Sequence, residues 1–166
     1  MELKRLSTDG IPSALAKAER YRLLNEPGEA ESICLDVLRI DHANQAALVT
    51  LVLALTDQFS SETSAAAAAR ALETTARLED EYDRWYYTGI VHERRAKSHH
   101  HKGRHGSAPA VREWLHDAMR AYERAEAIRP KGNDDSILRW NACARFLMDL
   151  PKHEPDLDLP APIELE

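Results

Sequence analysis

Apolar residues along this chain recur at spacings of three and four. Leu48, Leu51, Val52 and Leu55 form one such stripe, Ala30, Cys34 and Val37 a second, and Ala118, Tyr122 and Ala125 a third. That period puts each set on one face of an α-helix. No stretch alternates apolar with polar over the length of a strand, and no Asn-Gly or Asp-Gly turn joins two apolar runs. Asp9-Gly10 does occur, but Pro12 follows and marks a helix start. Between Gly28 and Gly89, sixty residues pass without glycine or proline, the two residues that most readily interrupt a helix.

The punctuation predicts seven helices. The first covers about 12–24 and is broken by Asn25-Glu26-Pro27-Gly28. The second covers about 29–40, the third 45–58, the fourth 63–78 and the fifth 81–97. Ser107 caps a sixth, with Pro109 in its first turn and its end near Arg129. The seventh lies between Asp135 and Pro151. The chain thus divides into a lead-in (1–10), a helical domain (11–149) with an insertion loop at about 96–108, and an acidic, proline-rich tail (150–166). The tail's composition predicts an extended or disordered segment.

Large and small residues repeat in a fixed register. Trp85-x2-Thr88-Gly89-x2-His92 is followed by Ala118-x3-Tyr122, Ala125 and Pro130. Ala14-x2-Lys17-Ala18-x2-Tyr21 is followed by Ala30-x3-Cys34, Val37 and His42. Ala30 to His42 and Ala118 to Pro130 are both 12 positions. Over about residues 11–149 this resembles the tetratricopeptide repeat (TPR) family. The resemblance implies an all-α, right-handed solenoid of antiparallel helix hairpins, three hairpins and a capping helix in which Trp140-x3-Ala144 repeats the large-then-small order. Small residues (Ala18, Ala30, Gly89, Ala118) then stand where helices approach, beside large ones (Tyr21, Trp85, Tyr122).

The middle hairpin fits worst, since it lacks aromatics and carries the thin run Ala65 to Ala69. The third hairpin departs by length. Tyr21 to Ala30 is 9 positions, whereas His92 to Ala118 is 26, an excess of 17. Repeat insertions fall in loops, so the excess is expected to be one.

Charge sharpens the picture at two places. The net charge is −6, which argues against general nucleic-acid binding. Yet 94–112 holds six Lys and Arg, no acid, and the histidines His99, His100, His101 and His105. The residues after Pro151 carry five acids against one lysine. The histidine run is a candidate metal site or a contact for an acidic ligand, but it lacks paired cysteines and its cationic neighbours repel a metal. A solvated loop is the plainer expectation. His92-Glu93 opens like a zinc-protease helix, but Ala96 stands where the second histidine belongs. Cys34 and Cys143, inside helical patterns, read as reduced core residues. No enzyme activity and no cofactor are expected, and no apolar run is long enough for a membrane helix. A cytoplasmic location follows as the expectation.

In the TPR family the first helix of each hairpin lines a concave groove. Carried onto this chain, the groove holds Leu15, Glu19 and Arg22, then Val49, Leu53 and Asp57, then Tyr86, Ile90, Glu93 and Arg94, with Asn141 and Arg145 from the last helix. An apolar centre with arginines at the rim suits a peptide or helix of another protein with an acidic flank. The acidic tail, through Leu157, Leu159, Ile163 and Leu165, is a second candidate occupant, and an exposed end helix leaves a homodimer open. The positions at which some family members clamp a chaperone's acidic end hold Leu15, Glu19, Thr50, Asp83 and Tyr87 here, so that ligand is not expected.

Overall fold

A computed structural model describes residues 2–59, 64–101 and 108–151. After a 3-10 turn at Thr8–Gly10, seven α-helices follow: α1 Ile11–Leu23, α2 Pro27–Leu38, α3 Gln45–Asp57, α4 Ser64–Thr75, α5 Glu81–His101, α6 Ala108–Ala127 and α7 Asp135–Asp149. The described residues form no strand.

Local chemistry sets most of the boundaries. Pro12 and Pro27 stand in the first turns of α1 and α2, where a missing N–H costs nothing. Pro27 therefore starts α2, two residues before the start expected from Glu29. Asn44 caps α3, its side-chain oxygen accepting from the Ala47 N–H at 2.9 Å. Asn25 (φ 60°) turns the chain between α1 and α2, and Gly132 (φ 85°) between α6 and α7. The expected cap at Ser107 and the start at Thr63 lie outside the described residues.

The structure departs from the expected loop on either side of residues 102–107, which lie outside the described residues: α5 runs on to His101 and α6 starts at Ala108, and these helices of 21 and 20 residues are each about 30 Å long. Instead of ending at Lys97, α5 continues through His99, His100 and His101. No glycine or proline stands in its path before Gly103. Its last turn is also supported from outside. The His99 ring meets Trp114 edge-on at 5.2 Å, and the His100 ring meets Phe146 at 5.1 Å. The His101 Nδ1–H donates to the Lys97 carbonyl at 2.7 Å.

Each helix packs on the next in sequence, and α1 also packs on α3 and α3 on α5. The largest interface is that of α5 with α6. Ala18, Ala30 and Ala118 are fully buried, and Gly89 is buried with them. One core cluster joins α1 to α5 through Leu51, Val52, Leu55 and Ala71, and a second joins α5, α6 and α7 through Ala96, Leu115, Tyr122 and Cys143.

Gly89 shows why the register needs small residues. A Cβ there would lie 2.6 Å from Cδ1 of the Tyr122 ring, which is itself fully buried. Alanine in place of a helical glycine ordinarily gains about 1 kcal/mol. Here overpacking, on the order of 1–3 kcal/mol, outweighs that gain. Gly89→Ala is therefore expected to lower the urea midpoint, and a raised midpoint would show that the ring has room to move.

Candidate functional site on the face of α1, α3 and α5

Three of the expected groove residues meet. Arg22 on α1 donates from Nε to Asp57 Oδ2 at 2.8 Å. Arg94 on α5 donates from Nη1 to Asp57 Oδ1 and, at 2.8 Å, to Thr56 Oγ1. One carboxylate at the end of α3 thus bridges α1 and α5. All three side chains are half-buried, which strengthens such charge-assisted bonds relative to exposed pairs.

Beside this bridge, Leu15, Val49 and Leu53 are partly exposed and Glu19 is exposed. Tyr86 is half-buried, stacked on Tyr82 at 5.7 Å and edge-on to Tyr87 at 5.2 Å. Asn141 is half-buried and Arg145 exposed, both on α7 and neither in the Asp57 network.

Ile90 and Glu93 stand elsewhere, only 2% and 1% exposed, in the interior rather than on an open surface. Glu93 is the centre of a buried brace. Tyr122 donates its phenol to Glu93 Oε2 at 2.6 Å, Lys97 donates to Oε1 at 2.5 Å, and Arg139 of α7 lies 3.5 Å from the same oxygen. Burial, followed by the neighbouring Glu93, drives the Tyr122 phenol far above its ordinary range. For Arg139, burial opposes the charge, but Glu93 and Tyr86 outweigh it and hold the guanidinium above its usual value. The brace ties α5 to both α6 and α7.

An open pocket of about 440 Å³ lies where α3 ends against the last turns of α5. Thr56, Asp57, Phe59, Arg94, Lys97, Ser98 and His101 line it. Ser98 Oγ donates to the Phe59 carbonyl at 2.7 Å and joins the two walls. Of these residues, the sequence marks Asp57 and Arg94 as groove residues and His101 as a loop residue, but nothing in it groups Thr56, Phe59, Lys97 and Ser98 into one site. The available signal was the helical spacing of 94, 97, 98 and 101, hidden by the assignment of 98–101 to a loop.

The remaining candidates are placed plainly. Cys34 and Cys143 are buried and unpaired, and burial pushes both thiols up to about 12, so neither is a thiolate at neutral pH. His92 Nδ1 lies 4.0 Å from Asp117 Oδ2. Burial lowers the His92 pKa, with Asp117 opposing and Arg95 and Arg120 adding to the effect. Arg95 lies over the Trp114 ring at 4.1 Å. His105 lies outside the described residues. Among the described residues no three His, Cys, Asp or Glu side chains gather as metal ligands, and no helix is long and apolar enough to cross a membrane.

Comparison with family models, with curated proteins and with solved structures found no match to this chain.

The Asp57 bridge carries a direct consequence. Asp57→Asn keeps the shape but leaves Arg22 and Arg94 facing each other without their shared anion. Hydrogen bonds to charged groups are worth about 1.5–3 kcal/mol, and partial exposure discounts this toward the lower end. A loss of about 1–2 kcal/mol in chemical denaturation is expected. Stability unchanged within error would mean that the bridge does not hold the three helices together.

Proposed function

We propose that this chain is a TPR-like protein-interaction module. In this reading it is a right-handed solenoid of three antiparallel hairpins closed by α7. Its concave face, built from α1, α3, α5 and α7, takes a peptide or helix from another protein. The observation that carries the reading is the Arg22–Asp57–Arg94 bridge, which links the first helices of three successive hairpins. The packing of α1 on α3 and of α3 on α5 supports it, since first-helix contacts are what stacked hairpins require.

Along that face the partly exposed Leu15, Val49, Leu53 and Tyr86 offer apolar contact, and the arginines favour a ligand with an acidic flank. The role is non-catalytic and uses no cofactor. Its setting is the cytoplasm, where unpaired thiols such as Cys34 and Cys143 stay reduced. The other reading, a metal- or acidic-ligand-responsive regulator built on the histidine segment, has less behind it. The rings of His99 and His100 pack on Trp114 and Phe146 instead of converging.

The test is a pair of variants. A partner captured on the full chain is identified, and its binding is measured by calorimetry. Leu53→Glu on the inner face of α3 is expected to weaken binding at least about ten-fold, which is about 1.4 kcal/mol. Leu35→Glu, on the second helix of its hairpin and already 43% exposed, is expected to leave binding unchanged. Equal binding by both variants would remove the proposed face.

A further inference from the structure

The rim where α3 and α5 end carries more positive charge than its own carboxylates balance. Asp57 is shared by Arg22 and Arg94, and Glu93 is shared by Lys97 and Arg139. Of these groups, one carboxylate, Asp57, and two cations, Arg94 and Lys97, line the pocket itself. Arg94 makes both of its contacts through Nη1 alone, and a guanidinium carries five N–H donors. Lys97 is 34% exposed and Arg94 29%, and both line the open pocket of about 440 Å³. His101 lines it as well.

The chain leaves α7 at this same end of α5. His100 meets Phe146 edge-on, and Leu150 is buried in one cluster with Ala96 and Val111. Arg112 donates to the Leu150 carbonyl at 3.3 Å and to the Pro151 carbonyl, fixing where the chain emerges. The residues that follow, 152–166, contain five acids and one lysine. At about 3.4 Å per extended residue, Glu154 reaches about 10 Å beyond Pro151 and Asp158 about 24 Å.

We propose that this pocket is a carboxylate-binding subsite, and that its occupant is an aspartate or glutamate from residues 152–166 of the same chain. The carboxylate pairs with Lys97 and Arg94 and completes the charge balance at the rim. The proposal concerns the pocket's own charge and stands whether or not a partner protein binds the concave face.

The test uses the full chain at low concentration, as an equal mixture of unlabelled and 15N-labelled protein. A carbodiimide joins a lysine to a carboxylate only when the two are in direct contact, and mass spectrometry reads the products. Coupling of Lys97 to an acid within 152–166 is expected, within one isotopic species, with a yield that falls several-fold in about 1 M salt. Three results would overturn the proposal. One is coupling of Lys97 to Glu93 alone. Another is coupling of the segment to Lys4, Lys17 and Lys131 as readily as to Lys97. The third is a Lys97 link that joins labelled to unlabelled chains, which would put the segment on a neighbouring copy.

Discussion

The closest approach of α5 to α6 depends on a missing side chain and a buried carboxylate one turn apart. Gly89 lets the Tyr122 ring lie against the backbone of α5. The ring's phenol then reaches Glu93, and Glu93 draws in Lys97 and Arg139. A carboxylate that is 1% exposed is destabilising unless it is paired and hydrogen-bonded. That requirement holds α5, α6 and α7 in one arrangement. An aliphatic core would tolerate some sliding between helices, whereas these directed bonds do not.

The consequence travels along α5. Glu93 and Arg94 are neighbours in sequence and stand about 100° apart around the helix. With Glu93 committed to α6 and α7, Arg94 faces α3 and meets Asp57. Asp57 in turn holds Arg22 of α1. Two carboxylates thus connect five of the seven helices, one through the interior and one at the surface. The proposed binding face inherits its shape from that pair, and the pocket beside Lys97 and Arg94 sits where the two networks come closest.

Much of this is legible in the amino-acid sequence. The positions of Ala18, Ala30, Gly89 and Ala118 follow from sterics, because only a small residue fits where two helices touch, and all four are buried. Most helix boundaries were legible to within a few residues because Pro12, Pro27 and Asn44 act locally. What sequence could not show is non-local. Ile90 and Glu93 share a helical phase with the groove, and periodicity does not say which neighbour covers that side. Asp57 lies 35 residues from Arg22 and 37 from Arg94, so their bridge has no local signature. The histidine run read as loop because polar residues carry no apolar period. Its helical state draws on Trp114 and Phe146, aromatic partners from α6 and α7.

The most direct measurement of the central claim is a double-mutant cycle on the buried brace, with Glu93→Gln, Tyr122→Phe and the double variant compared by chemical denaturation. If the phenol–carboxylate bond holds α6 on α5, the two changes are strongly non-additive, with a coupling energy of about 1–3 kcal/mol. Additive losses, within about 0.5 kcal/mol, would contradict the account, because the Tyr122–Glu93 bond would then be no part of what joins α6 to α5.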